Sequence, residues 1–120
     1  MYNAPVTIQL IDKPVPLEIV RKLARETYKD MAKAVVDVRL SRLAVGGELH
    51  ADAEALLLDK GSDQADLWGI NIYPDKPKDE RVVFNSLINI RPAQGNRSMD
   101  IKDEALQKKI RAIVDRLVGD

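Results

Sequence analysis

Glu48, His50, Asp52 and Glu54 alternate along the stretch ELHADAE, which holds the chain's only histidine among closely spaced acids. An imidazole titrates near neutrality, so His50 is the natural proton acceptor of the sequence, and Glu48 two residues earlier is spaced to orient or charge it as a general base requires. Drawn out as a strand, the four residues would line one face and offer carboxylates and an imidazole to a divalent ion. Glu48, His50 and Asp52 are the metal candidates, and so oxygen-rich a set favours a hard ion such as magnesium or manganese over zinc. If a helix begins at Asp52 instead, that residue is a good N-cap and Glu54 lies in the first turn, where the helix dipole stabilises a carboxylate. Gly46-Gly47 just upstream either admits a ligand or a second backbone at close range or forms a bulge.

A second group of polar residues follows later in the chain. Arg91, Gln94, Asn96 and Arg97 supply guanidinium and amide donors around Gly95, a natural seat for a carboxylate or phosphate because guanidinium forks bind such groups bidentately. The structural alternative pairs the two arginines with Asp100 or Asp103 and leaves Asn96 as a turn former. Asn71, Asn85 and Asn89 are all odd-numbered, so an in-register hairpin without bulges puts three amides on one non-core face. No phosphate-binding Gly-x-x-x-x-Gly-Lys loop, dinucleotide-binding glycine fingerprint or Gly-x-Ser-x-Gly elbow is present.

Hydrophobic periodicity indicates the elements that must position these groups. Val6–Ile11 reads as a first strand, and Leu17, Val20, Leu23, Ala24, Thr27, Tyr28 and Met31 recur at helical spacing. Residues 33–50 alternate, which predicts a hairpin with its tight turn near 41–42, Val38 opposite Val45 and Val36 opposite Gly47. A short helix over 52–60 ends at Gly61, a strand runs over 67–73, and another over 82–91. A final helix opens near Asp100 or Asp103 and carries Leu106, Ile110, Ile113, Val114 and Leu117. The order βαββαββα predicts an α+β domain over residues 1–120, with two layers and helices on one face of a largely antiparallel five-stranded sheet. That core face should carry Val36, Val38, Val45, Trp68, Ile70, Ile88 and Ile90.

The chain has 120 residues, 45% hydrophobic and 32% charged, which is enough for one soluble core. Nineteen basic residues balance nineteen acidic ones, so the long-range field of a nucleic-acid or anionic-membrane binder is missing. There is no cysteine, hence no thiolate nucleophile and no disulfide framework, in keeping with a reducing cytoplasm. No apolar run approaches the ~18 residues of a membrane span, and a cytoplasmic location is expected.

Four segments carry a family likeness: KAVVDV, AVGGELHADAEALLLDKGS, DLWGINIYPD and INIRPAQGNRS. Over about residues 17–118 the chain resembles a family of small, mainly bacterial proteins of unknown function. The resemblance implies that the HADAE and RPAQGNRS segments belong to a shared blueprint, and it transfers no catalytic role. Two function classes follow from the residues. In the first, Glu48 and His50 supply acid–base or metal-binding groups, Arg91 and Arg97 anchor a small anionic ligand, and the asparagines orient it. In the second, the same polar face is an interface, with a partner protein or with a second copy in a homodimer. The single-site form of the first requires the His50 and Arg91 ends to meet on one side of the domain.

Overall fold

In a computed structural model that describes residues 7–119, strands β1 (Ile8–Ile11), β3 (Ala32–Asp37), β4 (Arg42–Gly46), β5 (Leu67–Ile72) and β6 (Val82–Val83) form one sheet. Its order is β1-β4-β3-β5-β6 and every pairing is antiparallel. The outer part of the expected first strand, Val6, lies outside the described residues. A two-residue strand β2 (Val15–Pro16) pairs in parallel with β7 (Val118–Gly119) at the far end of the chain.

Side-chain alternation sorts the sheet into two faces. Ala34, Val36, Leu43, Val45, Trp68, Ile70 and Ile72 are buried under helices α1 (Leu17–Arg25) and α3 (Glu104–Leu117), the larger core. Both terminal helices thus lie on the face the sequence assigns to them. Helix α3 begins where Asp103 caps it, its carboxylate accepting from the Ala105 and Leu106 amides. Helix α1 is shorter than its periodicity suggests: it ends at Arg25, and Lys29 takes a left-handed conformation before β3.

The other face is not bare, which corrects the two-layer expectation. Helix α2 (His50–Asp59) packs there, burying Ala53 and Leu57 against Val35, Ala44 and Leu67, with Ile8, Leu10 and Ile88 at the margin. The α+β class and the five-stranded antiparallel sheet stand, but the sheet lies between α1 and α3 on one side and α2 on the other. Asp37 and Asn71 are consequently buried on the second face, although the parity that placed them there was read correctly.

The β3–β4 register also differs. Val36 pairs with Leu43 and Ala34 with Val45, because the turn spans residues 38–41 instead of sitting at 41–42. Asp37 fixes that turn: one carboxylate oxygen accepts from the Arg39 and Leu40 amides, and the other from the Ser62 hydroxyl at 2.6 Å. Relative to the expected pairing the partner of Val36 moves by four positions, an even shift, so every side chain keeps its face.

The expected strand over 82–91 stops at Val83. Ser86 caps a 3-10 turn at Leu87–Asn89, and the chain lies across β5 instead of continuing beside it. Gly69 permits this: a Cβ there would stand 2.5 Å from Ser86 Cβ. Ile88 therefore packs on the α2 face, and Ile90 is exposed, so neither belongs to the core face on which alternation put them.

Candidate functional site

Helix α2 starts two residues earlier than expected, and this decides the fate of the ELHADAE row. Gly46 and Gly47 both take positive φ, and a Cβ on Gly46 would meet the Thr7 carbonyl oxygen at 2.3 Å. The chain turns sharply there, Leu49 becomes the N-cap, and His50 is the first helical residue. Four alternating residues on a strand would share a face; on a helix they do not. Asp52, expected as the N-cap, is an exposed first-turn residue, Glu54 falls in the second turn, and Glu48 is exposed. Among the described residues no three histidine or acidic side chains come together as metal ligands, so the candidate set Glu48, His50 and Asp52 is not assembled.

His50 belongs to the buried stripe of α2 with Ala53 and Leu57, at steps of three and four. Its Nε2 lies 2.7 Å from the Ile70 carbonyl oxygen. A carbonyl only accepts, so Nε2 carries the proton and the other ring nitrogen is an acceptor. Burial pushes the imidazole down to about 4; the Ile70 carbonyl opposes that, nearby Lys33 reinforces it, and Asn71 opposes it. A base this weak is a poor proton acceptor at neutral pH, and its oriented partner is Ile70, not Glu48. The general-base pair is not formed.

What His50 does line is a cavity of about 330 Å³, together with Lys33, Leu49, Ala51, Asn71, Asn85, Ser86, Leu87, Ile88 and Met99. Lys33 on β3 and Asn71 on β5 are cross-strand partners, so their side chains stand side by side on the cavity face. Asn71 donates to the Asn85 carbonyl at 3.1 Å; its own carboxamide oxygen is buried beside the His50 imidazole with no donor in hydrogen-bond geometry. Leaving such an acceptor unpaired costs roughly 1–3 kcal/mol. Burial lowers the Lys33 pKa, its ammonium lies 5.2 Å from the centre of the Tyr28 ring, and among the described residues no carboxylate forms an ion pair with it. Leu49, Leu87 and Met99 are exposed apolar side chains at the cavity wall.

The donor-rich loop is of a different kind. Arg91 bonds through Nε to the Ile88 carbonyl, through one terminal nitrogen to the Gln64 carbonyl at 2.7 Å, and through the other to Glu54 at 3.5 Å. Its guanidinium carbon lies 4.9 Å from the Trp68 ring centre, and burial lowers its pKa while Glu54 counteracts. Gln94 donates to the Ala65 carbonyl. Asn96 donates to the carbonyls of Asn89, Ser98 and Asp100 and accepts from the Lys102 amide. Asn89 is fully buried, accepting from the Gly69 amide at 2.8 Å and donating to the Gly69 and Met99 carbonyls. Arg91, Gln94, Asn96 and Asn89 are thus occupied by the protein itself, and Arg97 is exposed.

Arg91 and Gln94 line a separate cavity of about 460 Å³ with Glu54, which meets the His50 cavity only along Leu87 and Ile88. Of the expected ligand set, His50, Asn71 and Asn85 share one cavity, while Asn89, Arg91, Gln94, Asn96 and Arg97 do not join them. Lys33 was missed; its signal was a lone cation at an odd position between Ala32 and Ala34, in phase with Asp37.

A family model described as a protein of unknown function (DUF5674) matches residues 9–117. The chain belongs to this family. No curated protein matches it. No solved structure matches it either. Among the described residues no helix is long and apolar enough to cross a membrane.

Proposed function

We propose that this protein of the DUF5674 family is a small-molecule-binding module whose site is the cavity between the start of α2, the β3–β5 pair and the 85–88 crossing. The observation that carries this reading is the buried, unpartnered carboxamide oxygen of Asn71, a residue that lines a cavity of about 330 Å³. That volume is at the small end of ligand pockets, roughly 300–1,000 Å³, and its mix of apolar wall and a few polar groups is what such pockets need. The ligand's polar end meets Lys33, His50 and Asn71, and its apolar body meets Leu49, Leu87 and Met99. His50 acts as a neutral positioning group, so the proposal is binding without general-base catalysis, and it requires no divalent ion.

Amide-resolved NMR with a mixture of small polar fragments tests it. Shifts should concentrate at Leu49, Ala51, Asn71 and Ser86; shifts confined to residues 91–97, or none at all, would count against the site. A second reading, an interface with a partner protein or in a homodimer, is favoured by Leu49 and Leu87, which are 60% and 71% exposed at the same rim. Sedimentation mass separates the two, since a stable dimer that protects Leu87 would favour the interface. We further read the chain as one bacterial, cytoplasmic domain, on the shared segments and the cysteine-free composition.

A further inference from the structure

The chemistry of the cavity wall narrows its ligand, an inference that rests on the small-molecule reading above. Among its lining residues Lys33 is the one cation, and no aspartate or glutamate is present. A doubly charged phosphate or a dicarboxylate would find a single ammonium there and no guanidinium to fork onto it. One monoanionic group is the match. The start of α2 adds a smaller share: Leu49 and Ala51 line the cavity and no side chain caps the first turn, whose dipole favours an anion but is already partly met by exposed Asp52.

Beside the cation stand acceptors in search of donors. Asn71, across the β3–β5 register from Lys33, has its carboxamide nitrogen committed to Asn85 and its oxygen unpaired. His50 gives its proton to Ile70, which leaves the second ring nitrogen as an acceptor. Opposed residues on neighbouring strands have Cβ atoms roughly 5 Å apart, so an anion and a cationic donor on the same small molecule must sit within a few bonds of each other. The remaining wall, Leu49, Leu87, Ile88 and Met99, is apolar.

We propose that the cavity binds a free α-amino acid with an apolar side chain: carboxylate on Lys33 and the start of α2, ammonium on Asn71 and His50, side chain against Leu49, Leu87 and Met99. The Asn71 oxygen is closed to water, so binding requires its carboxamide to turn toward the cavity, exchanging the bond to the Asn85 carbonyl for one from the ligand ammonium. A fatty acid of similar size leaves the acceptors unpaired, and an alkyl amine leaves Lys33 unpaired and facing a like charge.

Titration calorimetry and amide NMR with leucine, 4-methylpentanoate and 3-methylbutylamine test the assignment. Leucine should bind, and each truncated analogue should bind roughly tenfold or more weakly, the loss expected for one charge-assisted hydrogen bond. Lys33→Gln should erase the preference for leucine over the amine, and Asn71→Leu the preference for leucine over the acid. Equal binding of either analogue to the unaltered protein would overturn the zwitterion assignment. So would the absence of any shift with leucine, methionine and phenylalanine. If other fragments still move Leu49, Ala51 and Asn71, only this inference falls; if nothing moves them, the small-molecule reading falls with it. Should Lys33→Gln fail to fold, the analogue series on the unaltered protein decides the matter alone.

Discussion

The His50 cavity and the Arg91–Arg97 loop are built from the same kinds of side chain, asparagines, a cation and a neighbouring glycine, but they use them in opposite ways. In the loop Asn96 makes four hydrogen bonds to backbone groups, and Arg91 bonds to carbonyls from two other segments and to Glu54. In the cavity Asn71 keeps an unpaired oxygen and Lys33 has no acid partner among the described residues. A dense run of donors can be spent on holding the chain; a group left over beside a cavity is available to another molecule, whereas Arg42 Nε, equally unpartnered, borders neither the His50 cavity nor the Arg91 cavity. The loop is therefore the more important for stability, and the cavity is where we propose that binding takes place.

The largest expected effect tests the first half of that contrast. Asn89→Ala removes three hydrogen bonds and leaves the Gly69 amide and carbonyl without their side-chain partner, while the Met99 carbonyl keeps the Ser86 amide, so urea unfolding should register a loss on the order of 3–5 kcal/mol. A loss below that of an ordinary surface change would break the comparison.

His50 gives the next. Its folded pKa, about 4, lies below the ordinary 6.5, so between these values the unfolded chain takes up a proton that the folded protein refuses. Stability from this group is complete above pH 6.5 and declines as pH falls toward 4, by on the order of 3 kcal/mol in all. Unfolding free energies measured across that range should show the slope, and His50→Gln should flatten it.

Gly69→Ala should cost about 2 kcal/mol, the overpacking penalty for a methyl group pressed onto Ser86. Loss of protection at residues 86–89 in hydrogen exchange would locate the damage on the crossing. The smallest effect belongs to the cavity: Lys33→Gln should change stability by no more than ~0.5 kcal/mol while altering ligand binding. A larger destabilisation there would make Lys33 a structural residue and blur the distinction between the two regions.

Parity was the part of the fold most legible in sequence. Alternation put Val36, Val45, Trp68 and Ile70 on one face and Asp37 and Asn71 on the other, and this survived an error in the hairpin register because the shift was even. The third layer escaped notice because the three Ala and three Leu of α2 fall all round the helix and the buried stripe itself includes His50, so little polar contrast marks which side it buries. The strand expected over 82–91 failed for a different reason. Its alternating apolar residues imitate a strand, but the Asn89 carboxamide bonds to the amide and carbonyl of Gly69 as a neighbouring backbone would, and a side chain replaces the ladder. For the site, His50, Asn71 and Asn85 could be picked out by residue type, whereas their separation from Arg91 depended on where α2 begins, and Gly46-Gly47 moved that start by two residues.

The parallel pair β2–β7 has a consequence for the order of folding. It joins Val15 to Val118, and closing a loop of roughly 100 residues carries a length-dependent entropic cost of about 4 kcal/mol if nothing else has formed. A ladder of two residues on each side cannot repay that, so the pair must wait until the sheet and helices have shortened the effective loop. It is then the last contact made and the first released. Opening from the native state should begin there, freeing the start of α1 and the end of α3 together while the β3–β5 pair that carries Lys33 and Asn71 stays closed.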